Sequence, residues 1–526
     1  MNTPKYPLQR FLLGFLLAAA AIAAPLAVHA QAATKQERLI VVYKEGAANA
    51  ARAAVVRAGG RVVLDLGEVN AVAVRLPSAS IALLRGVPGV EMVEADPMRY
   101  VMGRTSSADR SGALVIGGEQ VPYGIGMVQA NQLPYDPAGN RKVCIVDSGY
   151  DLAHEDLQHT LITGDNLSGS GDWSTDENDH GTHVAGTIAA LGSNGLGVVG
   201  VVSSGQMPLH IAKVFDASGS APSSAIIKAV LRCVRAKANI ISMSLGGAGA
   251  TQFEQKIYQF VADRGTLVIA AAGNDGTSGT SYPAGYPSVM SVAAVDANTD
   301  RGSFSQFNAD VEIAAPGVGV LSTIPMGAGR QATTSVGGTS YVVQPMDGTP
   351  LANVTAPLAD FGLGLAASPG SMTGKVCLIS RGNIGFSDKV LNCQNSGGAG
   401  AIIYNNTTGD LFGTLNGVVT TIPSVGATQA DGANMLTKLG QSANVNVTAT
   451  NYAYFNGTSM ATPHVSAVAA LVWSHYPTAC TAEKLRTSLT RSALDLGPAG
   501  RDDEYGAGLV QAKAAFDRIA SLGCGN

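Results

Sequence analysis

The sequence predicts a doubly wound α/β fold, in which helices cover both faces of a parallel sheet. Short apolar runs alternate with amphipathic stretches of helix length, a pattern typical of strands that are buried on both faces. The runs lie at 143–146, 239–243, 267–271, 289–295 and 311–314. Because open α/β sheets bind their ligands at the carboxyl ends of the strands, we expect functional residues just after these runs.

Length and composition favour several folded domains and do not favour nucleic acid as a partner. The chain has 526 residues, of which 46% are hydrophobic and 14% are charged. This length suggests two or three domains, and this composition does not indicate disorder. A net charge of -4 and the lack of a long basic run give no indication of nucleic-acid binding.

Two segments depart from the parallel-sheet pattern. The stretch 38–100 alternates strand and helix signals like a small α+β unit, and 101–118 is a polar, Gly/Ser/Arg-rich linker where proteolysis is expected. A later stretch is rich in Gly, Thr, Asn and Val, which predicts a small β-rich insertion. The predicted units are an export segment (1–30), the α+β unit with its linker (31–110), the parallel-sheet unit (111–334 and 453–526) and the insertion (335–452).

The first thirty residues are typical of a secretory signal peptide. Lys5 and Arg10 precede the apolar segment 11–28, and small residues lead to Ala30. A membrane anchor is the alternative, but Pro25 and the small residues favour removal. We therefore expect secretion after cleavage near Ala30, with no membrane association afterwards because no later stretch is apolar enough to span a bilayer.

Six cysteines are present, and export makes disulfides their expected state. Six cysteines allow many pairings, among which sequence alone does not choose. We favour Cys377–Cys393 and Cys480–Cys524 because each pair lies within one segment. Cys144–Cys233 then follows by elimination.

Three motifs contain the residue types of a nucleophilic hydrolase. A buried strand ends at Asp147, His180 begins a helix of small residues, and Ser459 begins an Ala/Val-rich helix. Taken singly, Asp147 could cap a turn and Ser459 a helix. A serine hydroxyl is a weak nucleophile at neutral pH and needs a base, which histidine supplies because it titrates near neutrality. In the order Asp, His, Ser, the three predict a catalytic triad in which Asp147 orients the imidazole.

These motifs resemble those of the subtilisin family of serine proteases. The match comprises Asp147-Ser-Gly, His180-Gly-Thr-His-Val-Ala-Gly-Thr and Gly457-Thr-Ser459-Met-Ala-Thr-Pro-His, with shorter motifs across 121–325 and 453–515. The resemblance implies a subtilisin-like endopeptidase that forms an acyl-enzyme on Ser459 and needs no catalytic cofactor. It makes Asn274 the oxyanion donor, together with the backbone N–H of Ser459. It also implies that 38–100 is an inhibitory propeptide, so that the chain is a zymogen that removes this unit itself.

The resemblance also assigns residues to the binding of protein and peptide substrates. The backbone of Ser244, Leu245 and Gly246 is expected to pair with an extended peptide. Gly273 and Ser281 are expected to line the primary pocket, where small residues leave room for a large apolar side chain.

Two residues near these positions have alternative interpretations. Asp275, at the rim of the primary pocket, either admits a basic side chain or is a solvated loop acid. Ile226 either forms a further apolar pocket or belongs to the core.

Calcium is the cofactor that the resemblance implies, in a structural role. Asp156 and Asn194, the latter in the loop 191–199, match the family's ligand positions, and Glu119 or Gln120 would complete the set. Hard oxygen donors on a flexible loop suit calcium. The loop differs in length from the family's, and a solvated acid beside a plain turn is the alternative.

The other histidines are predicted to be structural or exposed. His183 lies one turn after His180, but without an H-E-x-x-H pattern a packed residue is favoured over a metal ligand. His464 is also predicted to be packed. We interpret His154, His159 and His475 as surface or loop residues.

The insertion resembles a protease-associated domain through 374–382, 386–393 and 398–405. The insertion either helps to dock long substrates or has no role in binding.

Two other functions are alternatives for the whole chain. A non-enzymatic binding protein would require a defect in the triad or at Asn274, which is not found. An esterase would require a G-x-S-x-G motif with serine first.

Overall fold

The structure is a computed structural model that describes residues 35–102 and 118–526. The predicted export segment and most of the predicted linker lie outside the described residues. Within the described ranges, no helix is long and apolar enough to cross a membrane.

The N-terminal unit is an antiparallel sheet packed against two helices. Its elements are β1 (Gln36–Tyr43), α1 (Ala48–Arg57), β2 (Arg61–Leu66), β3 (Ala71–Pro77), α2 (Ile81–Arg85), β4 (Val90–Ala95) and β5 (Met98–Val101). The sheet has the strand order β2-β3-β1-β4. Val41, Val72 and Val74 pack with Val55 of α1 in a small core of its own. The last strand, β5, leaves this sheet and pairs with the rest of the molecule.

The central unit contains the predicted parallel sheet. Its first part comprises α3 (Tyr123–Met127), β6 (Val143–Asp147), β7 (Ile162–Asn166), α4 (His180–Ala189), β8 (Leu209–Lys213), β9 (Ser220–Pro222), α5 (Ser223–Arg235), β10 (Ile240–Met243), β11 (Leu245–Gly246), α6 (Gln252–Asp263), β12 (Leu267–Ala271), β13 (Val289–Val295), β14 (Ile313–Pro316) and β15 (Val320–Thr323). Seven strands form the sheet, all parallel, in the order β14-β13-β12-β10-β6-β8-β7.

The insertion interrupts the central unit after β15. Its elements are β16 (Gly329–Val336), β17 (Thr339–Tyr341), β18 (Val343–Pro345), β19 (Ala352–Asp360), β20 (Val376–Ser380), α7 (Phe386–Asn395), β21 (Gly400–Tyr404), β22 (Ser424–Ala427), α8 (Gln429–Leu436) and β23 (Ser442–Thr450). The strands join in one sheet, and β16 pairs with β23 from Gly329 and Thr450 onward. The predicted boundary at 335 therefore falls inside β16.

The chain then returns to the central unit. The remaining elements are β24 (Tyr452–Phe455), α9 (Thr458–His475), α10 (Ala482–Arg491) and α11 (Ala512–Leu522). β24 pairs antiparallel with β15, and these two strands form the stem of the insertion. Thus the chain enters and leaves the insertion through neighbouring strands.

Helices cover both faces of the parallel sheet, as predicted. Because side chains alternate along a strand, Val143 and Ile145 of β6 enter one core with α4 and α9. Cys144 and Val146 enter the opposite core with α5 and α6. The prediction of a doubly wound α/β fold with an α+β unit and a β-rich insertion is confirmed.

The six cysteines form the three predicted disulfides. Cys144 of β6 is joined to Cys233 of α5, Cys377 to Cys393, and Cys480 to Cys524. The first lies in the central unit, the second in the insertion and the third near the C-terminus. Each unit that follows the predicted linker is thus cross-linked within itself.

Candidate active site

Asp147 and His180 are brought together at the carboxyl end of β6, next to the middle strand of the parallel sheet. Asp147 is the last residue of β6, and His180 is the first residue of α4. His180 Nδ1 lies 2.7 Å from Asp147 Oδ1, and both side chains are fully buried. Such a bond fixes the ring and leaves Nε2 to accept a proton. Among the described residues, none is hydrogen-bonded to His180 Nε2.

The start of α4 is held by a second acid, Asp176, that the sequence analysis did not single out. Its Oδ2 accepts from Thr182 N (2.8 Å) and Thr182 Oγ1 (2.7 Å), and its Oδ1 accepts from Ser148 Oγ at 2.8 Å. A carboxylate here satisfies N–H groups that the first helical turn leaves unpaired. Gly181 lets this turn approach the β6 end, because an added Cβ would lie 2.3 Å from Gly149 O. Asp176 thereby positions His180.

Ser459 lies in the first turn of α9, and its hydroxyl is not bonded to His180. Its Oγ donates to Ser244 O at 2.8 Å, so the predicted hydrogen bond to the imidazole is not formed. Ser244 Oγ in turn donates to Ser459 O at 2.7 Å. These two bonds fix the serine against the strand edge that follows β10.

Asn274 follows β12 and faces the start of the same helix. Its Oδ1 accepts from Thr458 N at 2.9 Å and from Thr458 Oγ1 at 2.8 Å. These bonds occupy the oxygen end of the amide, so Nδ2 remains as the donor end. This is the orientation that an oxyanion donor requires.

The C-terminal strand of the N-terminal unit occupies the cleft beside these residues. β5 is the middle strand of a three-stranded antiparallel sheet, β11-β5-β9. Val101 pairs with Leu245 and Tyr100 with Gly246, along the edge that was predicted to bind substrate. Recognition by strand addition needs only main-chain hydrogen bonds, so it suits peptides of many sequences.

The strand ends at Met102, whose backbone contacts both sides of the site. Met102 N donates to Ser244 O at 3.1 Å, and Met102 O accepts from Ser459 N at 3.0 Å. A carbonyl held by the N–H group of the nucleophile's own residue is where a scissile carbonyl is expected. The carbonyl of Met102 therefore lies at Ser459.

Of the residues predicted to line the primary pocket, Ser281 lies beside Gly246 and the Met102 side chain. An added Cβ at Gly246 would lie 2.5 Å from Ser281 Oγ and 2.9 Å from Met102 Cε. Ser281 is buried, and its hydroxyl has no partner within the described ranges. At Gly273, the same Cβ would meet Gln306 Oε1 at 1.3 Å, so a side chain of the protein itself excludes larger residues there.

The two residues with alternative interpretations fall in different surroundings. Ile226 is fully buried in the core cluster that contains Leu245 and Phe253. Asp275 is exposed.

A buried ion pair that the sequence analysis missed lies further along the cleft. Arg99 of β5 donates from Nη2 to Glu254 Oε2 at 2.5 Å, and neither side chain is exposed to solvent. The signal was present in the sequence: Glu254 shares one helix face with Ile257, Tyr258 and Val261, where an acid interrupts an apolar stripe.

Two further acids of the N-terminal unit cap helices of the central unit. Asp96 accepts from Ser224 N (2.8 Å) at the start of α5 and from Arg38 Nε (2.6 Å). Glu94 accepts from Gln252 N (3.2 Å) and Phe253 N (3.0 Å) at the start of α6. Negative charge is favourable at helix N-termini, so these contacts hold the N-terminal unit against the central unit.

The predicted packing of His183 and His464 agrees with their surroundings. Burial lowers the pKa of His183 to about 3, and its Nε2 donates to Val320 O (3.0 Å) and Ala453 O (3.1 Å). Burial likewise lowers the pKa of His464 to about 4. The surface interpretation is wrong for His154 and His159, which are loop residues with exposures of only 0% and 6%. Nε2 of each ring is hydrogen-bonded to a backbone carbonyl, which replaces the hydrogen bonds to water that burial removes.

The residues predicted to hold calcium are linked to one another by N–H donors. Asp156 Oδ1 accepts from Asn194 Nδ2 at 2.6 Å, and Oδ2 accepts from Val198 N at 2.7 Å. Glu119 Oε2 accepts from Asn194 N at 3.1 Å. Calcium needs converging oxygens, and here both carboxylate oxygens of Asp156 are bonded to N–H donors. No cluster of three or more metal-binding side chains occurs in the described part of the chain. Calcium binding stays a prediction.

The fold and the site define a class of enzyme. A doubly wound parallel sheet that brings Asp, His and Ser, in that chain order, to one rim beside an extended peptide strand is an Asp-His-Ser serine peptidase. The chain matches the model of the subtilase family over residues 139–342 and 398–508, more than half of its length. The chain therefore belongs to the subtilase family, and the predicted resemblance is confirmed.

The two added units match families of their own. Residues 350–435 match the PA domain, and residues 21–96 match a putative peptidase inhibitor domain. The protein is thus a subtilisin-like serine protease with an N-terminal inhibitor domain and an inserted PA domain. The non-enzymatic interpretation is not supported.

Individual relatives agree with this assignment. Subtilisin DY of Bacillus licheniformis is 41% identical over 229 residues, which span 42% of this chain and 80% of that protein. Subtilisin Savinase of Lederbergia lenta is 41% identical over 215 residues, spanning 39% and 76%. The crystal structure of the psychrophilic subtilisin-like protease Apa1 from Pseudoalteromonas sp. AS-11 aligns with a TM-score of 0.58 and 42% identity, covering 78% of this chain and 100% of that chain.

Proposed function

We propose that this chain is the secreted precursor of a serine endopeptidase that cleaves itself after Met102. One observation carries the proposal: Met102 O accepts from Ser459 N at 3.0 Å while β5 lies between two strands of the central unit. This is the position of a substrate, and it is occupied by the protein's own N-terminal unit. Other proteins and peptides would bind in the same extended form once this unit has left.

The proposed reaction uses Ser459, His180 and Asp147 in turn. Ser459 Oγ attacks the Met102 carbonyl carbon as His180 Nε2 takes the hydroxyl proton, and Asp147 stabilises the imidazolium through Nδ1. Ser459 N–H and Asn274 Nδ2 donate to the oxyanion. The imidazolium then protonates the leaving amine, which leaves an acyl-enzyme on Ser459. Water hydrolyses this ester in a second step, with His180 again as the base.

The bond from Ser459 Oγ to Ser244 O describes a resting arrangement in this mechanism. To react, the hydroxyl has to turn from that carbonyl to His180 Nε2, to which no group in the described part of the chain is bonded. The turn is a change of one side-chain rotamer in a small residue. In the proposal, the enzyme therefore needs no rearrangement of its backbone for the first cleavage.

Secretion is supported by the sequence pattern before Ala30 and by the state of the cysteines. All six cysteines are paired, as is typical of oxidising compartments outside the cytosol. N-terminal sequencing of the protein from the culture medium tests both parts of the proposal. It should find no residue before the Ala30 cleavage point, and the mature enzyme should begin directly after Met102.

The decisive test is Ser459→Ala in the full chain. Without the hydroxyl, the precursor should remain uncut, whereas the unmodified chain and the matched control Ser521→Ala should release the N-terminal unit. Ser521 is an exposed serine of the last helix, α11. Gel electrophoresis with N-terminal sequencing reads the result. Cleavage after Met102 in purified Ser459→Ala protein would contradict the proposal.

We also propose that calcium binds as a structural ion, as the family resemblance implies. It is tested by the thermal midpoint of the mature enzyme with calcium or with a chelator. A calcium-dependent rise that Asp156→Asn abolishes would support binding at this loop. An equal midpoint under both conditions would exclude it.

A further inference from the structure

The side chain of Arg99 is the most completely enclosed part of the strand in the cleft. Arg99 is the fourth residue before the proposed scissile bond, counting Met102 as the first, and its backbone pairs with Ala221. No part of the side chain is exposed. A fully buried arginine is unusual, because a guanidinium leaves water only when its donors find partners.

The surroundings of Arg99 satisfy both Nη groups of the guanidinium, whereas Nε has no partner among the described residues. Nη1 donates to Ala248 O at 2.8 Å and to Met98 O at 3.3 Å, and Nη2 donates to Gly249 O at 2.8 Å and to Glu254 Oε2 at 2.5 Å. Apart from Met98 O, every acceptor belongs to the central unit. We call the site formed by Ala248 O, Gly249 O and Glu254 the Glu254 pocket. Several acceptors arranged around a planar cation give selectivity for arginine over other side chains.

Glu254 is held in place by the central unit itself. Its backbone N–H donates to the capping hydroxyl of Thr251 at 3.1 Å, which fixes the first turn of α6. Tyr286 Oη donates to Glu254 Oε2 at 2.8 Å and accepts from Thr251 N at 2.9 Å. The carboxylate is therefore positioned by groups that remain after the N-terminal unit has left.

Removal of the N-terminal unit takes away the only cation seen at this carboxylate among the described residues. Glu254 Oε1 has no partner among the residues that the structure describes, and burial raises the pKa of Glu254 even with Arg99 bonded to it. A buried carboxylate without a cation is unfavourable, so a substrate that brings a cation regains an interaction that a neutral substrate does not.

We propose that the Glu254 pocket makes the mature enzyme selective for substrates with arginine at the fourth position before the scissile bond. This rests on the proposed function, because it assigns a preference to that same cleft. The pocket is part of the enzyme, and Arg99 is the first arginine to occupy it. The ligand class is thus an extended peptide with a guanidinium three residues ahead of the residue whose carbonyl is attacked.

The test compares amide substrates that share the sequence Tyr-Val-Met before a fluorogenic leaving group. Arginine, citrulline or leucine precedes this sequence; citrulline keeps the shape of arginine without its charge. The arginine peptide should have a kcat/KM at least about thirtyfold above both others, from the loss expected when one partner of a buried charge pair is removed. A kcat/KM equal for all three peptides would overturn the proposal.

Substitutions of Glu254 test whether this residue causes the preference for the arginine peptide. Glu254→Gln should bring the arginine and citrulline peptides to similar kcat/KM values, and Glu254→Leu should favour the leucine peptide. Glu483→Leu, an exposed glutamate on α10, is the matched control and should keep the arginine preference. Persistence of that preference in Glu254→Gln would also contradict the proposal. The substrate series on the unmodified enzyme needs no variant, so poor folding of a variant does not prevent a decision.

A shorter substrate, Val-Met with the same leaving group, separates this proposal from the proposed function. It does not extend to the Glu254 pocket, so it should be hydrolysed equally by the unmodified enzyme and by Glu254→Gln. Hydrolysis of this substrate without any arginine preference would overturn the selectivity alone. Failure to hydrolyse any of the substrates would contradict the peptidase function itself.

Discussion

The N-terminal unit and the insertion are both additions to the same parallel sheet, but they are attached in different ways. Ile40, Leu66 and Ala71 of the N-terminal unit are buried in the same core as α5 and α6 of the central unit. The two apolar clusters of the insertion, in contrast, contain only residues between 332 and 447. The insertion joins the central unit through its stem strands, β15 and β24.

Charged side chains of the N-terminal unit also bond to the central unit. Arg99, Asp96 and Glu94 bond to residues of the central unit, and Arg99 and Asp96 are buried there. These contacts resemble those of an inhibitor bound to an enzyme, in which a strand enters the cleft and acids cap nearby helices. The N-terminal unit has a small core of its own, but it also shares a core with the central unit. The insertion shares neither of its apolar clusters with the central unit. The comparison therefore separates a docked, ligand-like unit from an independently packed domain. It predicts that the two units respond differently to substitution.

The largest effect is expected from Asp96→Ala in the uncut Ser459→Ala precursor. Asp96 accepts from Arg38, Ser223 and Ser224, and its removal leaves Arg38 and the start of α5 without their partner. Arg38 belongs to the same unit as Asp96, so docking depends on the bonds from Asp96 to Ser223 and Ser224. Loss of these charge-assisted hydrogen bonds should destabilise docking by about 3 kcal/mol or more. The measurement is the urea concentration at which trypsin removes the N-terminal unit.

Asp65→Ala is the matched control for that substitution. Asp65 lies in the same unit and pairs with Arg52 at 2.8 Å, but its side chain is 59% exposed. An exposed ion pair contributes at most about 1 kcal/mol, so the urea concentration should change little. Equal shifts for the two variants would contradict the inhibitor-like attachment.

An intermediate effect, confined to the insertion, is expected when Cys377 and Cys393 are both replaced by serine. A disulfide that closes a loop of this length contributes about 3 kcal/mol. Because the insertion has its own core, kcat/KM for a short peptide should stay unchanged while proteolysis of the insertion increases. Replacement of Cys144 and Cys233, which join β6 to α5 beside Asp147, should lower activity instead. Loss of activity from both pairs of substitutions would refute the independence of the insertion.

The smallest effect is expected from acidification by a single pH unit, through the histidine that joins the stem to α4. Burial lowers the pKa of His183 to about 3, so its ring is neutral in the folded protein, whereas an unfolded histidine titrates near 6.5. As the pH falls from 6.5 toward 3, the unfolded chain binds a proton that the folded chain does not. The free energy of unfolding should therefore fall by roughly 1.4 kcal/mol per pH unit.

The measurement compares thermal unfolding between pH 7 and pH 4 in the unmodified chain and in His183→Gln, which keeps an N–H donor. His183→Gln should reduce the pH dependence, while His475→Gln, a partly exposed residue, should leave it unchanged. Burial also lowers the pKa of His464, so this histidine should account for part of the pH dependence that remains in His183→Gln. A pH dependence identical in His183→Gln and the unmodified chain would rule out this role.

Much of the fold and of the site could be predicted from the sequence because the relevant signals are local. The apolar strands, the motifs at Asp147, His180 and Ser459, and the pairing of cysteines within one segment all lie in short stretches. Their chain order then identified the type of site. The burial of His154 and His159 was missed, because a loop that is covered by other parts of the chain has no distinct local pattern.

Sequence by itself determined which chemical groups this protein contains and which strands and helices carry them, since periodicity and short motifs encode both. Only the tertiary structure decided which groups meet. It turned Ser459 Oγ toward Ser244 O, filled the space beside Gly273 with Gln306, and joined Arg99 to Glu254 across more than a hundred residues of chain. The physical reason is that hydrogen bonds and ion pairs depend on distance in space, which side-chain packing sets and no local stretch of sequence records.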